Sequence, residues 1–488
     1  MTKKALLAAT MLVALAANAK ETKYKQPDVS VPPNWQTEAP FGVADPKDAL
    51  PKGKWWTIYN DPELNNYEDH ALAANQTLKA ATARLREARA AARVSQAGLF
   101  PELDANPSIA RQRVSGFRPN LPSTTANIPI TQTVFTIPFS LNYELDLFGE
   151  VRNNVRSAQA ALQASAADLE NAQLVLTSEL AADYFQLRSL DAEIADIKEA
   201  LEYEQKGLDL VERRHQGGIA SGLDVAQQKT VLDSALTQLS LLQQQRDQYQ
   251  HALAVLQGLP APQFVAPVRP LNMPVPKVPV ALPSQLLERR PDIATAERIV
   301  ASQNAQIGVA HAAFFPRIFL SAGGGVQSVS VSDLFSGPSA LWSVGVSALQ
   351  AVFAGGRIHA RYEQSKAVYD ESVANYRESV LVGFQQVEDA LSALNQLAAA
   401  AESQQKAVED SRRSLELANA RYTGGLVSYL DVITAQEQLL ANERLATQLL
   451  GQRVVTSVYL VKAIGGGWDA ADLNSVPVKA TFRQAISQ

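Results

Sequence analysis

Apolar and polar positions alternate from Phe135 to Leu147. Phe135, Ile137, Phe139, Leu141, Tyr143, Leu145 and Leu147 are separated by Thr136, Pro138, Ser140, Asn142, Glu144 and Asp146. A period of two predicts a strand with one apolar and one wet face. Its thirteen residues exceed an ordinary strand and suffice to cross a bilayer obliquely. From Glu150 the period changes: Leu176, Leu180, Tyr184, Leu187, Leu190, Ile194, Ile197 and Leu201 are three or four apart, which predicts a helix running to His215. At 1.5 Å per residue it is about 100 Å long, roughly three times a bilayer core. It ends at Gly217-Gly218, and a second helix from Leu223 to Gln257 returns antiparallel if the turn is tight.

Upstream, Asp61 and Pro62 form a helix start, Asp as cap and Pro at the first position. The helical region then runs through Leu64, Tyr67, Leu72, Leu78 and Leu85 to Gly98 and stops at Phe100-Pro101. A strand is expected at about 103–115, then a loop, then the strand at 130–147. Residues 258–283 hold eight prolines and no period, so 258–290 reads as a linker. After it the pattern starts again: a helical piece from Pro291 to Phe315-Pro316, strands at about 317–331 and 341–352, a long helix, a turn at Gly424-Gly425, and a return helix ending at Gly465-Gly466-Gly467.

This is a duplication. Phe100-Pro101 matches Phe315-Pro316, and Phe148 with Arg152 matches Phe353 with Arg357 at a spacing of 205. Gly217-Gly218-Ile219-x-Ser221-x-Leu223-Asp224-Val225 matches Gly424-Gly425-Leu426-x-Ser428-x-Leu430-Asp431-Val432 at a spacing of 207. The chain divides into 1–19, an extended segment 20–60, a first repeat 61–257 with its tip turn at 216–222, the linker 258–290, a second repeat 291–467 with its tip turn at 423–429, and a tail 468–488.

Four strands cannot close a barrel, and lipid does not tolerate open sheet edges, so several copies must complete a shared one. The outward positions are the odd residues from Phe135 to Leu147 with Trp342, Val344, Val346 and Ala348; Ser343, Gly345 and Ser347 would line the lumen. The fold class is thus an α+β membrane protein in which a transmembrane β-barrel continues into a long α-helical barrel. A soluble sandwich shows similar alternation, and the long helices alone also fit a dry coiled-coil spacer. Gly323-Gly324-Gly325, inside a strand pattern, reads as a bulge or a thin spot facing the lumen rather than a phosphate cradle.

Composition narrows the compartment. Lys3 and Lys4, the apolar run Ala5 to Ala17 and the Ala17-Asn18-Ala19 site read as an export signal. The net charge of -5 argues against a nucleic-acid partner. There is no cysteine, and the five histidines lack ligand-like spacing, so the sequence calls for no cofactor, no metal and no enzyme. Asp224 and Asp431 follow turns where Asp is a good helix N-cap. Arg289 and Arg290 read as structural charges, as do Arg152 and Arg357 at the strand-to-helix junction, where Phe148 and Phe353 are expected to pack.

LLERRPDIATAE (Leu286 to Glu297), IGVAHAAFFPRI (Ile307 to Ile318), the Trp55 to Leu64 opening, YELDLFGEVR and the paired GG-x4-LDV turns resemble the outer membrane factor family, the TolC-like channels of tripartite efflux pumps, most closely its NodT-type branch. The resemblance spans nearly the whole chain beyond the signal. It implies a homotrimer in outer membrane lipid with a twelve-stranded barrel and a periplasmic tunnel. It further implies an adaptor gripping the tips at Gly217, Gly218, Ser221, Gly424 and Gly425, and an inner membrane pump, foremost of the RND type. Asp224 and Asp431 would fall where such channels constrict, with Ser428, Tyr429 and Arg421 nearby. Three copies of each aspartate would form a ring favouring cations. Many NodT-type members carry an acylated cysteine after the signal; here Ala19-Lys20 stands instead. The function implied is a passive exit duct for drugs or other small toxic compounds. Type I protein secretion and a non-conducting periplasmic tether are the alternatives.

Overall fold

The computed structural model describes residues 24–33, 35–36, 53–115, 117, 129–278 and 289–468. The signal at 1–19, most of the loop between the first two strands, residues 279–288 and the tail from 469 lie outside them. Asp61 accepts from the backbone N–H of Glu63 at 3.0 Å and of Leu64 at 3.3 Å, starting α1 (Pro62–Ala74) as expected. The helical region to Gly98 is not continuous. Asn75 takes an extended ψ of 131° and accepts from Leu78 N–H, opening a separate helix, α2 (Gln76–Ala97).

Five strand segments follow in two sets: β1 (Glu102–Ala105), β2 (Ser108–Val114) and β3 (Ile130–Leu145) before the first long helix, β4 (Arg317–Ser328) and β5 (Ala340–Leu349) after the linker. The sheet is antiparallel throughout, with β1 and β2 on one flank of β3, then β4, then β5. β1 and β2 hold one continuous register on β3: Ala105 faces Phe139 and Ser108 faces Thr136. They are therefore the single expected strand, notched at Asn106-Pro107 because proline has no N–H to give the ladder. Among the described residues the sheet ends in two unpaired edges, β1–β2 and β5.

Register decides the faces. Phe139 lies opposite Gly324 and Gly324 opposite Trp342; Leu141, Ala322 and Val344 form the next row, then Tyr143, Leu320 and Val346. Directly opposed residues share a face, so both sets expected to point outward lie on one apolar face. Trp342, Val344 and Val346 are 82%, 69% and 70% exposed on a single chain. The opposite face carries Ser140, Asn142, Ser321, Gly323, Ser343, Gly345 and Ser347. No bulge interrupts Gly323–Gly325. A Cβ on Gly325 would stand 2.2 Å from the Ile137 carbonyl oxygen, so close approach of two backbones is what glycine permits there.

The helices follow as α3 (Glu150–Gln216), α4 (Gly222–Leu256), α5 (Pro291–Ala312), α6 (Arg357–Thr423) and α7 (Tyr429–Ala463). α3 and α6 are each 67 residues and α4 and α7 each 35, and every boundary of the first hairpin recurs 207 residues later. The spacing of 205 read from Phe148/Arg152 and Phe353/Arg357 is therefore two residues out of step: Arg152 corresponds to His359. Arg152 pairs with Asp146 at 3.1 Å, as a junction charge, and Phe148 stacks on Phe315 at 4.8 Å, but Phe353 is 91% exposed.

The main core lies midway down the helices. Trp55, Trp56, Tyr59 and Leu64 pack against Leu180, Tyr184, Phe185 and Leu187 of α3, Leu253 of α4, Leu391 of α6 and Val458 of α7. The proline-rich linker closes over it with Phe264, Ala266 and Leu271. Beside this core runs a buried ionic network: Arg188 reaches Asp191 and Glu63, each at 2.9 Å, and the Pro267 carbonyl, while Arg246 holds the other Asp191 oxygen at 2.6 Å. Arg290 is buried too, on Asp292, Gln386 and the Ala463 carbonyl, a structural role.

Candidate functional site

Both hairpins turn alike at the far end of the long helices. Gly218 and Gly425 take φ of 71° and 72°, the left-handed region that glycine enters without steric cost. Ile219 N–H donates to the Arg214 carbonyl at 2.8 Å and Leu426 N–H to the Arg421 carbonyl at 2.9 Å, the six-to-one bond of a Schellman turn. The residue after each glycine then points away from the helices: Ile219 and Leu426 are each 73% exposed.

At the first tip the capping residue is the serine, not the aspartate; at the second, Ser428 holds the N-cap position but its side chain makes no capping bond to the backbone. Ser221 precedes α4, and Asp224 sits at its third position: Asp224 N–H donates to Ser221 Oγ at 3.2 Å and Ser221 N–H returns to Asp224 Oδ2 at 2.8 Å, a complete capping box. Ser428 and Asp431 repeat the spacing, with Ser428 Oγ donating to Asp431 Oδ2 at 2.8 Å. Both carboxylates hold the shape of their own turn, and in a single chain Asp431 is exposed and Asp224 half-buried. The Arg421 side chain is exposed and its carbonyl serves the turn.

Tyr429 is placed differently from the other four residues. It is 4% exposed and lies inside the wall, where its hydroxyl donates to Gln228 Oε1 of α4 at 2.9 Å. Gln228 Nε2 in turn donates to the Glu204 carbonyl and carboxylate on α3. Space for this junction comes from Gly207, whose added Cβ would stand 2.9 Å from the Tyr429 hydroxyl. Burial raises the Glu204 carboxyl above the usual range, partly offset by the Gln228 bond, and burial likewise raises the Tyr429 phenol. Around them Val211, Val432 and Ile433 close a small core, and Arg214 lies 4.7 Å over the Tyr422 ring.

Higher up, a second set of contacts joins the two hairpins. Gln448 donates to Glu193 at 2.8 Å, Arg444 lies 3.5 Å from Glu193 and donates to Gln238 at 2.8 Å, and Thr447 donates to Asp196 at 2.7 Å. Glu193, Gln238, Arg444 and Gln448, with neighbouring glutamines, line a cavity of about 370 Å³. Periodicity finds none of them, because each is a polar residue on a predominantly polar helix. The tyrosine-to-glutamine bond spans 201 residues, and no local signal marks it. Among the described residues no cluster is placed to hold a metal ion.

Comparisons with known proteins bear on the family and the fold. The family model of outer membrane efflux proteins matches residues 69–259 and 282–466, one stretch on each repeat. The pyoverdine export outer membrane protein OpmQ of Pseudomonas aeruginosa is 34% identical over 446 residues, covering 91% of this chain and 92% of that one. The antibiotic efflux pump outer membrane protein ArpC of Pseudomonas putida is 32% identical over 475 residues, 96% of both chains. The solved structure of the outer-membrane channel OprN superposes with a TM-score of 0.85 at 28% identity, over 92% of this chain and 99% of that one. The chain belongs to the outer membrane efflux protein family, and it is an outer membrane channel of efflux that extends into the periplasm.

Proposed function

We propose that the two hairpin tips form a closable periplasmic entrance to this duct, and that three copies assemble around it. The observation that carries the reading is the matched pair of tips, each with a Schellman turn, an exposed apolar residue at Ile219 or Leu426 and a serine hydrogen-bonded to the aspartate three residues on. Edges β1–β2 and β5 carry unpaired backbone groups, which lipid leaves unsatisfied, so each copy's β5 pairs with the next copy's β1–β2. Three copies give twelve strands, the number the family resemblance implies, and bring six tip aspartates around one opening. A ring of this kind favours cations over anions.

An adaptor grips the tips at Gly217 to Ser221 and Gly424 to Ser428, with Ile219 and Leu426 as matched apolar knobs, and an RND-type inner membrane pump supplies the energy. The adaptor's differential affinity for open tips shifts the closed-to-open balance. The cargo is drugs and other small toxic compounds, in line with relatives named for export of pyoverdine and efflux of antibiotics. Ile219→Asp with Leu426→Asp tests the docking. Cells carrying the double variant are expected to become as drug-sensitive as cells lacking the channel, with unchanged channel in the outer membrane. Full resistance would remove the tips from the adaptor interface.

A further inference from the structure

The cavity of about 370 Å³ is built within one chain, with α3 as its floor and α4 and α7 as its walls. Arg444 of α7 reaches across α3 to Gln238 of α4 at 2.8 Å and ties the walls together. The cavity opens on the side of the helices away from the linker. On α3, Arg188 and Asp191 face the linker, through the Pro267 carbonyl and the Arg269 N–H. Gln186 and Glu193, in the cavity, each stand two residues from one of these, about 200° round the helix. On α7, Gln452 is likewise two residues from Val454, which is buried in the main core. In copies set round a duct, this is the side the duct encloses.

The lining carries five glutamine side chains and no aromatic ring. Its two charged groups, Glu193 and Arg444, lie 3.5 Å apart and offset each other. Among the described residues the side-chain amides of Gln186, Gln245 and Gln452 make no hydrogen bond. The Arg444 guanidinium donates to Gln238 and keeps further N–H groups to give. The cavity therefore presents donors and acceptors together, with no net charge. An anion meets Glu193 and a cation meets Arg444, while an apolar solute strips water from amides without replacing its hydrogen bonds. A hydroxyl both donates and accepts. Neighbouring hydroxyls of a sugar ring match the two-atom edge of an amide or a guanidinium, and the ring's C–H face can rest on Leu190, Leu241 and Leu242. The volume lies within the range of about 300–1,000 Å³ typical of small-molecule sites.

We infer that this cavity is a wall site for neutral, hydroxyl-dense solutes, a sugar ring or a drug that carries one. The inference rests on the duct proposed above only for the site's place on the path of the cargo; the cavity itself is complete in one chain. A site on such a path must release what it holds, so binding is weak.

Maltotriose is the probe, with the full-length protein in a detergent that has no sugar head group. Saturation-transfer NMR is expected to show saturable binding to the wild type at millimolar sugar. Binding is expected to be about tenfold weaker in Gln186→Leu/Gln452→Leu, which removes two of the free amides. It should be unchanged in Gln243→Leu/Gln405→Leu, which alters exposed glutamines outside the cavity. Gln245→Leu, on the other wall, is an independent variant expected to weaken binding severalfold should the double variant fail to fold. No binding to the wild type, equal binding by folded cavity variants, or tighter binding of triglycine than of maltotriose would overturn the inference. In planar bilayers maltotriose is expected to interrupt the wild-type current in brief blocks, which the cavity variants shorten. Binding that follows the cavity variants without any block of current would uphold the site and count against the duct reading that places it on the path.

Discussion

Tyr429, the first residue of the last helix, donates its hydroxyl to Gln228 of the other hairpin at 2.9 Å, and both side chains are buried. The bond ties the second tip to the first at a depth where water does not compete. Tyr429→Phe keeps the ring and leaves Gln228 Oε1 without its donor, a loss of about 1–3 kcal/mol. The expected outcome is a lower melting temperature and faster proteolysis of the lower helices, with single-channel conductance close to wild type. A conductance raised as far as by opening the tips would make the tyrosine a gate rather than a brace.

Gly451 is a second point of close contact. An added methyl would stand 2.7 Å from Ser189 Cβ and 2.2 Å from its Oγ, forcing α3 and α7 apart. Gly451→Ala raises helix propensity, but the wedge outweighs it, with a net cost on the order of 1–3 kcal/mol. Thermal denaturation in detergent checks this, and Ser189→Gly in the same chain is expected to restore most of the loss.

Asp191 holds Arg188 and Arg246 together and also accepts from Arg269 N–H at 2.9 Å, so it joins α3, α4 and the linker. Asp191→Ala leaves two largely buried guanidinium groups short of a counter-charge, at a cost of about 3–5 kcal/mol. The measurement is the yield of folded protein and its melting temperature, both expected to fall well below those of Asp191→Asn.

Two carboxyls titrate against folding. Burial, with Glu179 nearby, pushes Asp183 up to about 6 from 3.8, and burial raises Glu68 well above its usual range, with neither carboxyl oxygen hydrogen-bonded. A folded carboxyl with a raised pKa binds its proton more tightly than the unfolded chain does. For Asp183 the contribution is therefore present below about pH 4 and is lost as pH rises through about 6. Asp183→Asn is expected to stabilise the protein at pH 7 by on the order of 1–2 kcal/mol and to have no such advantage at pH 4. Melting temperatures of the two proteins across that range decide it. An equal gain at both pH values would show that charge is not the cause.

The sequence carried the parts of the fold that repeat locally. Phe135 to Leu145 announces its own faces, and the hairpin turns are legible because glycine at 218 and 425 must enter the left-handed region. What it did not carry has no period. Asn75 splits a helix through one side-chain cap, and Pro107 notches a strand without shifting its register. At the tips the sequence reads Asp224 and Asp431 as N-caps, but which residue caps which depends on where the helix begins, and α4 begins one residue after Ser221. The assignment of Tyr429 to the opening followed chain proximity, whereas packing against Gly207 and Gln228 turns it into the wall.

The central claim is a duct whose entrance the paired tips close. Its most direct test is single-channel conductance of the purified protein in planar bilayers, comparing wild type with Asp224→Asn/Asp431→Asn and Asp224→Ala/Asp431→Ala. Asparagine removes charge but still accepts the capping bonds, and alanine removes both. A small, cation-selective wild-type current is expected, with selectivity lost in the asparagine variant and conductance raised severalfold in the alanine variant. Identical currents and selectivity in all three proteins would contradict closure at the tips.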